Sequence, residues 1–168
     1  MALVRGPFDI AWGGNTLLNI EEISIDYSQD SEDYTTVQHQ TYQVDGPIKS
    51  TVTLTLLASD VPALAVVLPQ YHVANGGVLS TGETVSEANG AIDVIASDCG
   101  DTPIYNHLDI TSCANPGQVF RLVNARTKLD SLEFDDKIRK VMVQFVGEPA
   151  SGDGNVQFFK SGSITAIS

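Results

Sequence analysis

Few residues in this sequence could do chemistry, and their spacing argues against most of it. Its three histidines, His39, His72 and His107, fall far apart, and no HExxH, GxSxG or phosphate-binding glycine loop accompanies them. Cys99, His107 and Cys113 invite comparison with a zinc site. Their spacing forms no Cys-x-x-Cys knuckle, however, and a fourth ligand is missing. Asp30, Glu32 and Asp33 could attract calcium, but the segment lacks the alternating oxygen ligands and central glycine of a calcium loop. Ser151–Asn155 reads as a glycine turn, since no lysine follows and no helix opens there to hold a phosphate. The expectation is therefore no catalytic residue, no metal and no cofactor. Nothing places a base beside a nucleophile.

Charge narrows the partners. Nine Lys+Arg against 21 Asp+Glu give a net charge of −12. Proteins that grip nucleic acid do so through basic patches, so a sequence-specific DNA or RNA binder is disfavoured. No apolar run is long enough to span a membrane as a helix, and MALVRGPFDIAW lacks the apolar stretch of a signal peptide, which predicts synthesis in the cytoplasm. Two cysteines are too few for a disulfide scaffold, and pairing across a loop and free thiols both stay open. The 168 residues suit one domain with a real core.

With side-chain chemistry set aside, the informative part of the chain is its long strands. In IKSTVTLTLLASDVPALAVVLP (48–69), Val52, Leu54 and Leu56 alternate with Thr51, Thr53 and Thr55, the period of a strand with one buried and one wet face. The pattern then turns helical. Ser59 or Asp60 can cap the helix, Pro62 fits its first turn, and Pro69 ends it, which predicts a helix over 61–68. Upstream, Leu17–Tyr27 alternates Ile23, Ile25 and Tyr27 with Glu22, Ser24 and Asp26. Between these strands, residues 28–47 are polar and β-prone without a core face. They read as a protruding hairpin with its tip in SQDSED (28–33), returning at Asp45-Gly46-Pro47. Residues 91–96 and 104–110 are expected to be short strands in a loop-rich middle. Two long strands, 118–134 and 138–147, flank the tight connector Asp135-Asp136-Lys137, and a last strand is expected at 156–160 before a tail at 161–168. The fold class is thus mainly β. The expected architecture is an antiparallel sandwich or partial barrel in one domain, 1–168, with one short helix and a long protruding loop.

Wet faces on so many long strands leave sheet edges open, and edges are normally protected. Closing a ring through neighbouring copies would remove them and turn the wet face into a channel lining. In this order of elements, a long strand, a polar arm, a second long strand ending in DGPIKSTVTLTLLASD, the helix VPALAVVL and a closing hairpin, the chain resembles the major tail tube protein of long-tailed, siphovirus-like bacteriophages from about Leu17 to Phe159. The resemblance implies a structural virion protein forming hexameric rings with a continuous inner β-barrel, stacked into a tail tube that conducts genomic DNA without binding it. It implies other copies of the chain, a tape measure protein, a tail terminator and a distal tail protein as partners, no membrane, and a place in the virion tail after assembly in the host cytoplasm. Carried over by position, the lumen would be lined by Glu22, Ser24, Asp26, Thr51, Thr53, Thr55 and Gln144. The arm between rings would be 28–47, including Asp30, Glu32, Asp33, Tyr34, His39 and Tyr42, and the helix 61–68 would cover the barrel. Arg121, Arg126, Lys128 and Lys140 sit awkwardly in a mostly acidic or neutral lumen, and are expected to pair with Asp or Glu from adjacent subunits or to lie beyond it. A tail terminator, a head–tail joining subunit and a capsid decoration protein remain alternatives with a similar fold. A carbohydrate-binding or adhesin-like domain is weaker, since sugar platforms use clustered exposed aromatics and Trp12 is the single tryptophan.

Overall fold

A computed structural model of the chain describes residues 3–95, 103–148 and 157–162. It is mainly β: ten strands and one α-helix, with a short 3₁₀ turn after the helix. The strands are β1 (Phe8–Trp12), β2 (Asn15–Leu17), β3 (Ile20–Thr35), β4 (Thr41–Leu56), β5 (His72–Val73), β6 (Ala91–Ile92), β7 (Asn106–Ser112), β8 (Gln118–Phe134), β9 (Arg139–Gly147) and β10 (Gln157–Ser161). The main sheet runs β2-β1-β7-β8-β9-β4-β3, with β10 also paired to β8, and every pairing in it is antiparallel.

The alternating residues of β3, β4 and β9 settle where the core lies. Ile25 stands opposite Val52, which stands opposite Phe145; Ile23, Leu54 and Val143 form the next row. Val52, Leu54, Val143 and Phe145 are completely buried. The sheet closes over this core because β8 is long enough to serve two neighbourhoods. Its first part pairs with β7 and β10, and its second part, from Ala125 onward, with β9. Trp12 on β1 meets Phe145 edge-on at 5.8 Å between ring centroids, and its indole N–H donates to the carbonyl of Ala125 at 3.1 Å. Strands three places apart in the sheet thus touch across one core, as in a partial barrel.

The helix α1 (Val61–Val67) forms where capping and proline predict. The Asp60 carboxylate accepts from the Ala63 N–H at 3.3 Å, Pro62 lies in the first turn, and Pro69 opens the 3₁₀ turn. Val67 and Leu68 are buried in the core cluster, with Leu64 and Val66 packed against it. The Gln70 amide donates to the Thr127 carbonyl at 3.1 Å, fastening this cover to β8.

Two expectations are corrected here. The hairpin tip is not in SQDSED: those residues continue β3, and the chain turns at 36–40, where the Thr36 N–H bonds the Gln40 carbonyl and His39 takes a positive φ. The acidic residues did not end the strand because the backbone ladder continues through them, Ser31 to Asp45 and Tyr34 to Tyr42. The Asp-Gly-Pro stretch sits inside β4 at an irregularity between Gln29 and Ser31, where a Cβ on Gly46 would lie 3.0 Å from the Asp30 carbonyl oxygen. The second correction concerns the middle of the chain, expected to be loop-rich with only short strands. Its β7 section lies between β1 and β8 and adds Leu108 and Ile110 to the core. Cys99, the end of the 91–96 segment and most of the 161–168 tail lie outside the described residues.

Candidate functional site

Four strands, β8 (second part), β9, β4 and β3, form a section of sheet with two unlike faces. One is the core face above. On the other, cross-strand partners line up in rows: Asp26, Thr51, Val146 and Arg126; then Ser24, Thr53, Gln144 and Lys128; then Glu22, Thr55, Met142 and Ser131. All seven residues assigned to a lumen from sequence therefore share one face. Their exposure differs. Glu22, Ser24 and Asp26 are exposed, Thr51, Thr53 and Gln144 are half-buried, and Thr55 is buried.

Register adds a cation that the sequence argument did not name. Lys49 stands opposite Ser28 and shares the parity of Thr51, so it joins the same face as Arg126, Lys128 and Lys140. The face is mixed in charge and far less acidic than the chain as a whole. Two of the awkward cations are held within the subunit: Lys140 pairs with Glu21 at 3.0 Å, and Arg126 with Glu148 at 3.0 Å. The Glu21 carboxylate raises the Lys140 pKa by hydrogen bonding to its ammonium. Arg121 lies away from these rows, on the first part of β8. It is buried and makes a two-point contact with Asp109, Nε to Oδ1 at 2.6 Å and a terminal nitrogen to Oδ2 at 3.0 Å. His107 nearby accepts the Asn124 N–H at 3.2 Å, and burial, then the Arg121 charge, hold its pKa below the ordinary value. Lys128 is exposed and makes no ion pair among the described residues.

The edges of this section are open. Among the described residues, β3 ends the sheet, and β8 beyond Ala125 pairs only with β9. Because neighbours alternate in direction across β8, β9, β4 and β3, the two edge strands run in opposite directions. Copies placed side by side would meet antiparallel at every joint.

The third feature is the arm made by the outer halves of β3 and β4. Tyr34 stands opposite Tyr42, and Glu32 opposite Val44, on one face; Ser31, Asp33, Gln43 and Asp45 share the other. The Ser31 hydroxyl donates to Asp45 at 2.7 Å, the Tyr34 hydroxyl to Glu32 at 2.6 Å, and the Tyr42 hydroxyl to Gln40 at 3.0 Å. The hydrogen bond to Glu32 raises the Tyr34 pKa. Both faces are solvent-exposed, with Val37 at the tip 92% exposed and Tyr34, Tyr42 and Val44 all above half. Residues 28–48 contain Asp30, Glu32, Asp33 and Asp45 and no lysine or arginine. A two-stranded ribbon with apolar side chains and no supporting layer is marginal alone. Asp30, Glu32, Asp33, Tyr34, His39 and Tyr42 are thus all brought onto one arm. Sequence reasoning missed Val37 and Val44, although two valines in a polar ribbon were a legible signal.

Groups for metal chemistry do not converge: no cluster of three or more His, Cys, Asp or Glu side chains occurs among the described residues, and no helix there is long and apolar enough to cross a membrane. Cys113 is exposed, its thiol pKa raised first by a hydrogen bond to Asp9.

No family model matches this chain, and no curated protein matches it. Solved structures do. A chain of the sheath–tube complex of an extracellular contractile injection system (PVC), in its extended state, aligns over 96% of this chain and 91% of its own length, with 15% identity and a TM-score of 0.53. A chain of the anti-feeding prophage cap, the AFP tube-terminating cap, aligns over 96% of each, with 12% identity and a TM-score of 0.53. At this identity the likeness is one of fold, and this chain has the fold found in those two assemblies.

Proposed function

We propose that this protein is a structural subunit of a phage-tail-like tube, closing into rings that stack through the arm. The observation that carries the reading is the pair of open, oppositely directed edges on one four-stranded section. Joining β3 of one copy to the second part of β8 of the next satisfies both edges, continues the core face, and makes the wet face one uninterrupted cylinder. The arm then reaches an adjacent ring with Val37, Tyr34, Tyr42 and Val44. In the finer form of the proposal the rings are hexameric and belong to the tail of a long-tailed phage, assembled in the host cytoplasm, with tape measure, terminator and distal tail proteins as partners. Genomic DNA would pass through the cylinder. Thr51, Thr53 and Gln144 offer it no cation, and Lys140 and Arg126 are already neutralised by Glu21 and Glu148, which leaves Lys49 and Lys128 as the cations of this face without an ion pair among the described residues and limits the hold of the wall on phosphates.

A second reading is favoured by one observation, the equal fold likeness to the AFP tube-terminating cap. A cap or terminator would close one ring and stop. Negative-stain electron microscopy of concentrated purified protein, with its mass by light scattering, separates the two. Hollow tubes of uniform width with a regular axial repeat are expected. Single rings that never stack would replace the tube by the terminator, and a protein that stays monomeric even when seeded with preformed particles would overturn both.

A further inference from the structure

Resting on the tube reading, we infer that the uncharged tip of the arm, residues 34–44, docks on the opposite end of a copy in the next ring. Its seat there is the exposed apolar set Leu18, Leu132, Phe134 and Ile138.

The four-stranded section has two unlike ends. The row of Asp26, Thr51, Val146 and Arg126 is the last that β9 shares with β4 in one direction, and past it β3 and β4 run on together as the arm. In the other direction the last shared row is Leu56 with Val141. Past that row the β8–β9 hairpin runs on without β4, through Glu133 opposite Lys140 and Phe134 opposite Arg139, to its turn at 135–138. Leu18 lies at this hairpin end too, shortly before β3, where the Asn19 carbonyl accepts the Leu57 N–H. Arm and hairpin thus leave the sheet in opposite directions. The hairpin end is wet but apolar: Phe134 is 73% exposed and Leu18 69%, with Leu132 and Ile138 exposed beside them.

Charge selects the part of the arm that can bind there. From Tyr34 to Val44 the arm carries no Asp, Glu, Lys or Arg, and Asp30, Glu32, Asp33 and Asp45 all lie nearer the body. The hairpin end is mixed, with Glu133, Asp135 and Asp136 beside Lys137, Arg139 and Lys140, and with Glu21, Glu22 and Asp60 on adjoining segments. Several of these are already engaged. Asp135 accepts the backbone N–H groups of Lys137 and Ile138, Lys140 pairs with Glu21, Arg139 donates to Ser59, and Asp60 caps α1. The acidic base of the arm would meet Glu22, Glu133 and Asp136 as like charges. The tip brings no charge to such a surface, and Val37, Tyr42 and Val44 against Phe134 and Leu18 take apolar area out of water on both sides.

A competing seat is an apolar groove of about 190 Å³ lined by Val4, Phe8, Ile110, Val119, Phe120 and Phe159. It lies on the first part of β8, which runs back from Arg126 in the direction the arm takes, so it belongs to the arm's own end. In a head-to-tail stack an incoming tip meets the hairpin end. A contact between two different surfaces repeats without limit, as a tube requires.

Val37→Asp and Phe134→Asp, both at strongly exposed positions, are expected to leave rings intact and to lower the protein sedimenting as tubes by about tenfold or more, since each loses an apolar anchor. Cysteines read the contact directly. With Cys99 and Cys113 replaced by serine, Val37→Cys protein mixed with Phe134→Cys protein should give mixed cross-linked dimers on mild oxidation of the assembled particles. Val37→Cys mixed with Phe8→Cys, which reports the groove, should give far fewer. Tubes that persist in both aspartate variants overturn the docking. So do mixed dimers that form better through Phe8→Cys, and so does a loss of rings in Phe134→Asp, which would place that residue at the joint within a ring. Wild-type rings that never stack overturn the tube reading itself.

Discussion

Replacing Leu54 by alanine, beside the same change at Thr53, tests the two-faced strand at adjacent positions. Leu54 is completely buried, between Ile23 and Val143 on neighbouring strands. The substitution removes three buried carbons, worth about 2.4 kcal/mol at roughly 0.8 each. The sheet is anchored on both sides and cannot collapse into the gap, so the cavity raises the loss to about 3–4 kcal/mol. With a urea slope of about 2 kcal/mol per molar, the unfolding midpoint should fall by roughly 1.5–2 M. Thr53 lies half-buried on the wet face of the subunit, and its change to alanine should cost less than about 1 kcal/mol, mostly strand preference. Urea unfolding followed by tryptophan fluorescence suits the assay, since Trp12 is buried against Phe145. It should be run on dispersed subunits, because assembly would add its own concentration-dependent stability. A Leu54→Ala loss below about 1 kcal/mol, or equal losses at the two positions, would refute the placement of the core on that face.

Three further outcomes follow from particular contacts. Asp60→Ala removes the side-chain cap of α1 and should cost about 1 kcal/mol, lowering the thermal midpoint by about 2–4 °C; no shift would mean that the cap does not hold the helix. Asp109→Ala leaves the Arg121 guanidinium buried without that carboxylate and should cost about 3–5 kcal/mol in urea unfolding; a loss under about 1 kcal/mol would show that the pair is not buried in solution. The His107 ring, followed by proton NMR, should titrate below 6.5, because burial and then Arg121 disfavour its charged form. A folded pKa below the unfolded one means that the contribution of neutral His107 is complete above 6.5 and is lost as pH falls from 6.5 through the lower folded value. A midpoint at or above 6.5 would contradict the partial burial of His107 and the placement of Arg121 beside it.

Local pattern determined a good deal. The alternation of Val52, Leu54 and Leu56 with threonines, and of Ile23 and Ile25 with Glu22, Ser24 and Asp26, fixed which side of each strand is apolar, because side chains alternate strictly along a pleat. Asp60, Pro62 and Pro69 set the ends of α1 through capping and the missing proline N–H. The strand 118–134 and its turn at Asp135-Asp136-Lys137 were legible for the same reason. The acidic run 28–33 misled because side-chain polarity suggests a turn, whereas a ribbon with both faces in water accepts polar residues throughout. What no local pattern contained is adjacency. Pairing puts Lys49 and Arg126 on the face of Asp26, gives Lys140 to Glu21 and Arg126 to Glu148, and buries Arg121 against Asp109. It carries β7, from a loop-rich stretch, into the interior of the sheet, and leaves β3 and the far half of β8 as the open edges among the described residues. Those facts are relations between strands distant in sequence, and the sheet's hydrogen-bond register, set by the packing of the whole core, is where they are decided.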